Sequence, residues 1–172
     1  MTDPNDRLEE LFRTFTRSSW RWECQGDYAI DETALQRWRD GQPPDMTMKG
    51  PWLQYIREVI AAGKSFDRVR VLTEPLTEYL RWLLERTASN VAAGEDIRWI
   101  DQVSAADLGM PDYDFYLFDD NRVAIMRFGP DKLISDLEVT DEPAVVAQHQ
   151  TYRDTVWPRA IPHAEYYAPR ST

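Results

Sequence analysis

Three runs of the sequence decide the fold: RVRVLTEPL (68–76), EDIRWI (95–100) and DFYLFDDNRVAIMRF (114–128). The first two are typical of strands, and they flank an apolar helix predicted from Thr77 to about Ala93. A strand, a helix and a strand at this spacing predict a parallel pair of strands joined by a right-handed crossover. The third run predicts a hairpin with Asp119-Asp120-Asn121 as its turn, because Asp and Asn favour tight turns.

Periodicity and end signals predict the elements on either side of this unit. Helices are expected over residues 6–15, over 32–41 with Asp31 as the cap, from Pro51 to Gly63, and from Pro143 to Pro158, while Pro75 is expected to begin the long helix. Further strands are expected over residues 18–28 and 133–139, and loops over 42–50 and 101–113.

These elements predict an α/β (α+β) fold in a single domain. A mixed sheet of about five strands, containing the βαβ unit and the hairpin, is expected to be covered by helices. The domain is expected to span residues 1–172, with a core over about 6–157 and an irregular tail over 158–172.

The composition and net charge indicate which classes of partner the protein can bind. A formal net charge of −10 disfavours direct binding to nucleic acid or to an anionic membrane. It suits contact with a basic protein, or it serves solubility alone. Seven Trp and eight Tyr indicate either a core of large rings or an aromatic-lined groove.

Cysteine content and hydropathy predict the compartment. Cys24 is the only cysteine, which excludes an intramolecular disulfide and a multi-cysteine zinc site. The sequence has no leader-like start and no apolar run near the roughly 18 residues of a membrane span, so a cytoplasmic protein is expected.

Arginines on the predicted strands are the first candidate ligand-binding residues. Arg68 and Arg70 share one face of their strand, and Arg98 lies on the next parallel strand. Guanidinium groups bind phosphate or carboxylate groups through paired hydrogen bonds, so these arginines are candidates for an anion pocket. Glu23 and Glu74 offer the alternative, in which the arginines form internal ion pairs on a solvated face.

Glu74 and Tyr79 lie where the first parallel strand passes into its helix. The carboxyl ends of parallel strands are the usual ligand-binding edge of an open sheet, and a helix start presents free N–H groups to an anion. Both residues are therefore candidates for ligand binding. Capping of the helix by Glu74 is the alternative.

Carboxylates also cluster around the hairpin. Asp112, Asp114, Asp119 and Asp120 lie near strand ends, where paired carboxylates bind divalent metals or act as acid and base. Asp119 is a candidate ligand-binding residue on this basis, and simple turn formation is the alternative.

No pattern marks a catalytic residue, a metal site or a cofactor. His149 and His163 have no second His or Cys at metal-ligand spacing, and no Walker loop, GxGxxG or GxSxG occurs. His149 is expected to be packed and hydrogen-bonded, and His163 to be exposed to solvent.

The chain resembles an actinobacterial family of domains of unknown function, DUF6879, over about residues 11–157. The resemblance is carried by FRTFTRSSWRWECQGDYAID (12–31), PWL (51–53), RVRVLTEPLTEYLRW (68–82), NVAAGEDIRWI (90–100) and DFYLFDD (114–120). It implies no activity, and it suggests a setting beside small helix-turn-helix regulators and their short partner proteins. The predicted sheet is also loosely similar to a phospholipase-D-type half-domain, without the His-Lys-Asp signature of that family.

Two functions are expected. The first is a non-enzymatic regulatory or adaptor domain that binds a helix-turn-helix transcriptional regulator, or the regulator's partner, through an acidic aromatic-rich surface and also senses a small ligand. The second is a small-molecule or phosphate-ester enzyme that uses Arg70, Arg98, Glu74 and Tyr79, which requires the two arginines to share one pocket. Direct nucleic-acid binding would need a segregated basic face.

Overall fold

An open sheet of seven strands runs through the structure, a computed structural model that describes residues 2–167. In chain order the strands are β1 (Ser18–Glu23), β2 (Ser65–Leu72), β3 (Asp96–Asp101), β4 (Asp114–Phe118), β5 (Arg122–Phe128), β6 (Ile134–Thr140) and β7 (Ile161–Pro162). Their order across the sheet is β6-β5-β4-β1-β2-β3-β7. Strand β2 is parallel to both β1 and β3, and the other neighbouring pairs are antiparallel. The predicted mixed α/β class is confirmed, with seven strands instead of about five.

Helices cover both faces of the sheet. They are α1 (Pro4–Thr14), α2 (Glu32–Arg39), α3 (Met46–Ala61), α4 (Glu78–Ala93), α5 (Gln102–Asp107), α6 (Pro143–Val156) and α7 (His163–Tyr166). Helices α1 to α4 pack on the α4 face, which carries Phe66 and Trp99, while α5 and α6 pack on the α6 face, which carries Trp22 and Val69. None of these described helices is long and apolar enough to cross a membrane.

Aromatic rings fill the interior on both faces. On the α4 face, Phe66 and Phe118 pack beneath α1 and α3, and Trp99 packs beneath α2 and α4. On the α6 face, Trp22 and Phe115 are 1% and 0% exposed. The large rings of the sequence therefore serve mainly as core, because they bury the most apolar area per residue.

The hairpin and the crossover are confirmed. Strands β4 and β5 pair antiparallel around Asp119 and Asp120, whose φ angles of 55° and 59° lie in the left-handed region. Consecutive positive φ angles match the right-handed twist of the flanking strands, and Asp tolerates them better than most residues. Strands β2 and β3 lie parallel with α4 between them, as the spacing predicts.

Prolines begin neither of the two helices for which they were predicted, because a polar residue caps each start. For α4, the alternative start predicted at Thr77 is confirmed. Helix α3 begins at Met46 within the predicted loop, since the Asp45 carboxylate accepts the Thr47 N–H at 2.9 Å. Helix α4 begins after Thr77, whose hydroxyl accepts the Leu80 N–H at 3.2 Å. The predictions that Pro51 and Pro75 begin these helices are wrong, and Glu74 does not cap α4.

Three other segments also differ. Strand β1 ends at Glu23 and does not continue to Tyr28. Residues 102–107 form α5 within the predicted loop, because the Asp101 carboxylate accepts the Ser104 N–H at 2.8 Å. Residues 161–166 form β7 and α7 where an irregular tail was expected, while residues 168–172 of that predicted tail lie outside the described residues.

Gly94 and Gly63 test how α4 packs against α3. Both end a helix in left-handed backbone, but a Cβ on Gly94 would lie 2.7 Å from Ile60 Cγ1, whereas one on Gly63 would meet nothing within 4 Å. Each Ala substitution should cost about 1–2 kcal/mol through backbone strain. Gly94→Ala should cost about 1–3 kcal/mol more, because the β-branched Ile60 cannot move aside freely. Urea denaturation measures both losses, and equal losses would contradict tight packing at Ile60.

Candidate functional site

A cleft of about 530 Å³ opens at the carboxyl ends of β2 and β3. This is the edge at which open sheets with parallel strands usually bind ligands, and the volume suits a small molecule or a side chain with its neighbours. The lining residues come from the ends of β2 and β3, from α5 and from the C-terminal segment: Leu72, Glu74, Trp99, Ile100, Asp101, Ser104, Asp107, Leu108, Arg159, Ile161 and Tyr166.

The cleft is acidic. Among residues 2–167, its lining carries the carboxylates of Glu74, Asp101 and Asp107 and the guanidinium of Arg159. Three negative charges and one positive charge give these described side chains a net charge of −2. The Asp101 carboxylate accepts hydrogen bonds from the Ser104 hydroxyl at 2.6 Å and from its N–H at 2.8 Å, which lower the pKa of Asp101. Asp101 is therefore ionised at neutral pH.

The aromatic wall of the cleft depends on His163. The Trp99 indole N–H donates to His163 Nδ1 at 3.0 Å, so this nitrogen must be unprotonated. Burial lowers the pKa of His163, and the nearby charge of Arg70 lowers it further, which favours the neutral ring. Tyr166 then stacks on Trp99, with ring centroids 6.2 Å apart and an interplanar angle of 29°. The prediction that His163 is exposed is wrong, since only 6% of its surface is open.

Arg68 and Arg70 lie together at the centre of the α4 face, within an ionic cluster. Arg68 is 5% exposed and donates to Glu23 at 2.8 Å and to Glu95 at 2.6 Å. Arg70 is 7% exposed; its Nη1 donates to the Thr87 hydroxyl at 2.5 Å, and its Nε lies 3.4 Å from Glu23. The two arginines therefore form internal ion pairs, buried and not on a solvated face.

The second half of the ionic cluster joins β1 to β4. Arg21 lies 3.3 Å from Asp114 and 3.6 Å from Glu23. Asp114 also accepts the Tyr28 hydroxyl at 2.6 Å and the Cys24 N–H at 2.8 Å. Three arginines thus face three carboxylates at the centre of the α4 face: Arg21, Arg68 and Arg70 against Glu23, Glu95 and Asp114. The balanced charges explain how so many ionised groups are buried together.

Arg98 lies on the opposite face of the sheet from Arg70. In the parallel register Arg98 is the neighbour of Val69, and Arg70 is the neighbour of Trp99. Because side chains alternate between faces, the guanidinium of Arg98 lies on the α6 face, where it stacks over Trp157 at 3.7 Å. The single pocket expected to contain Arg70 and Arg98 does not form.

The other predicted site residues are placed in different parts of the fold. Tyr79 donates a hydrogen bond from its hydroxyl to the Asp31 carboxylate at 2.7 Å, and Arg86 donates to the same carboxylate. Because Asp31 is engaged in this way, it does not cap α2 as the sequence predicts. Asp119 accepts from the N–H groups of three consecutive residues, 16–18, so it ties the hairpin turn to the start of β1. Of the predicted set, Glu74 alone lines the cleft.

His149 also has a structural place. Its Nδ1 lies 2.8 Å from the Val145 carbonyl, to which it must donate, so Nε2 accepts the Tyr113 hydroxyl at 3.1 Å. Burial lowers the pKa of His149. The packed, hydrogen-bonded role expected for this residue is confirmed.

Sequence reasoning missed most of the cleft. Asp107 and Arg159 lie in segments that were predicted to be irregular, and Tyr166 lies in the predicted tail. Asp101 had a usable signal, because it directly follows a predicted strand whose carboxyl end lies at the ligand edge of the sheet.

No group of three or more His, Cys, Asp or Glu side chains within residues 2–167 is arranged to hold a metal ion. A family model described as a domain of unknown function (DUF6879) matches residues 6–168, so the chain belongs to this family. The chain matches no curated protein.

Glu23 should be essential for stability, because Arg68 and Arg70 share its carboxylate. Glu23→Gln should lower the free energy of unfolding by about 3–5 kcal/mol at pH 7, the usual cost of leaving buried charges unpaired. The exposed pair Arg127–Glu138, at 4.0 Å, provides the control. Glu138→Gln should change the stability by less than about 1 kcal/mol. Similar losses in the two variants would contradict a buried ionic cluster.

The stability at acid pH should also distinguish wild type from the Glu23→Gln variant. Burial alone would raise the pKa of Glu23, but the charges of Arg70, Arg21 and Arg68 hold it far below its ordinary value of 4.5. Its contribution is therefore complete above pH 4.5 and is lost as the pH falls below that value. Wild type should lose more stability than Glu23→Gln between pH 5 and pH 3, as measured by urea denaturation at each pH.

Asp67 should make the stability of the protein depend on pH in the opposite direction to Glu23. Burial raises its pKa to about 7, and the charge of Asp96, its neighbour in the register, adds to the effect. The native state then holds a proton that the unfolded state has lost, so stability falls as the pH rises from about 4 to about 7. Asp67→Asn should remove this fall and stabilise the protein at pH 8 by about 1 kcal/mol or more. Thermal denaturation against pH tests this, with the exposed Asp136→Asn as a control that should keep the wild-type slope.

Proposed function

We propose that this DUF6879 domain is a non-enzymatic adaptor that binds a basic protein through the acidic cleft. The observation that carries the proposal is the combination of three carboxylates with an apolar and aromatic lining at the carboxyl edge of β2 and β3. A helix-turn-helix regulator, or a short protein associated with one, is the partner class that the family resemblance suggests.

Charge complementarity supports a basic partner. The described lining of the cleft has a net charge of −2, within a chain whose formal net charge is −10, so a cationic segment gains attraction both at long range and on contact. Exposed apolar residues lie beside the carboxylates: Ile161 lines the cleft and is 44% exposed, and Val103 on the adjacent α5 is 71% exposed. An apolar surface with a charged rim is the usual composition of a protein-binding site.

The placement of the polar side chains supports a non-enzymatic role. Arg68 and Arg70 are bound to Glu23 and Glu95 inside the domain, and His149 is held by a carbonyl and a hydroxyl. A general acid or base must reach the proton that it transfers. These buried groups are instead bonded to other side chains and carbonyl groups inside the domain. The enzyme hypothesis required Arg70 and Arg98 in one pocket, and their opposite faces remove its geometric basis.

Neutralising the cleft should weaken binding of the partner. Glu74→Gln combined with Asp107→Asn removes two negative charges and leaves Asp101, which is needed to cap α5. We expect at least about a tenfold loss of affinity, since each partly desolvated charge pair contributes on the order of 1 kcal/mol. The wild-type interaction should also weaken with added salt.

The control is Asp6→Asn combined with Glu9→Gln, which makes the same change of charge on the exposed surface of α1. The partner is first captured from the host on wild-type protein and identified. It is then purified and titrated calorimetrically against wild type, the cleft variant and the α1 variant. Equal losses of affinity in the two variants would show that only the net charge of the domain matters. An unchanged affinity in the cleft variant would exclude the cleft as the binding site.

A further inference from the structure

The wall of the cleft has a feature that charge alone does not explain. Tyr166 lines the cleft and remains partly exposed, while its ring is stacked on the fully buried Trp99. Trp99 is in turn fixed by its hydrogen bond to His163. Tyr166 is therefore an aromatic surface held in place at the boundary between the protein interior and the cleft.

Carboxylates line the same cleft as this ring. Glu74 and Asp101 line the cleft together with Tyr166. Their charges add to the effect of burial, which raises the pKa of the Tyr166 hydroxyl. Asp107 lines the same cleft, and Arg159 is the one cation among the lining residues that the structure describes. A ligand that enters beside Tyr166 thus meets an aromatic surface and carboxylate acceptors together.

A guanidinium group can both stack on the aromatic ring and donate hydrogen bonds to the carboxylates, whereas an ammonium group does only the second well. The guanidinium is planar and weakly hydrated, so it stacks on an aromatic ring and still donates in its own plane to carboxylates. The ammonium of lysine is compact and strongly hydrated, so it gains the charge attraction without stacking well. The domain uses guanidinium–ring contacts internally, with Arg98 over Trp157 at 3.7 Å and Arg86 over Trp82 at 4.9 Å.

We propose that the cleft selects an arginine side chain of the partner over lysine, with Tyr166 as the residue that decides between them. This inference rests on the proposed function, because it names the chemistry that the basic partner presents. In the bound state the arginine lies against Tyr166 and donates to Glu74 and Asp101, and the apolar lining accommodates the residues beside it.

The test uses three short capped peptides that are identical except at one central position, flanked by leucines. That position holds arginine, lysine or citrulline, which keeps the shape of arginine without its charge. Binding to the full chain is measured by NMR chemical-shift titration at low salt. Wild type should bind the arginine peptide about fivefold or more tightly than the lysine peptide, and the citrulline peptide most weakly.

Variants at Tyr166 separate stacking from folding. Tyr166→Leu should bring the ratio of the two affinities close to one, mainly by weakening the arginine peptide. Tyr166→Phe keeps the ring and should retain the preference, and thermal denaturation checks that both variants are folded. If wild type binds arginine and lysine peptides equally, the arginine preference is wrong and the adaptor function stands. If neither charged peptide binds, or if citrulline binds as well as arginine, the acidic cleft is not a basic-partner site and both proposals fail.

Discussion

The ion pairs that Arg68 makes with Glu23 and Glu95 hold the centre of the fold. Burying these charges is costly, and the cost is offset only if each charge finds its partners at hydrogen-bond distance. That condition fixes the register of β1 against β2, in which Arg21 lies beside Arg68 and Glu23 beside Arg70. A slip of one residue would place Trp20 and Trp22 among the charges and turn the carboxylate of Glu23 towards the apolar α6 face. The ionic cluster therefore makes the parallel pairing specific.

The ionic cluster and the cleft occupy different parts of the sheet. Across the α4 face the cluster separates the apolar core beneath α1 and α3 from the one beneath α2 and α4, and it keeps Arg68 and Arg70 engaged. The carboxylates of the cleft lie instead at and beyond the carboxyl ends of β2 and β3, where loops are not constrained by strand pairing. Glu74 and Asp107 take no part in the ion pairs of the cluster, so their substitution leaves those pairs intact.

The C-terminal segment completes the cleft through a short chain of contacts. Strand β7 pairs with β3 at Trp99, and the indole of Trp99 donates to His163 at the start of α7. Tyr166, one turn later, stacks on the same indole and lines the cleft. Trp99 thus belongs at once to the core and to the support of the site, which couples the geometry of the cleft to the packing of the sheet.

The sequence by itself determined the elements whose signals are local. Periodicity and turn chemistry predicted the crossover from β2 through α4 to β3, the hairpin of β4 and β5, and the apolar side of α6, because side-chain spacing and backbone preference act over a few residues. Capping by Asp45, Thr77 and Asp101 was harder to predict, since such residues also form turns. Only the tertiary structure decided which charges meet: Glu23, Arg68 and Glu95 come from three strands or their ends, and Glu74 and Tyr166 lie far apart in the chain. Alternation within a strand can put Arg68 and Arg70 on one face, but whether Arg98 joins them depends on a register that is set by packing across the whole sheet.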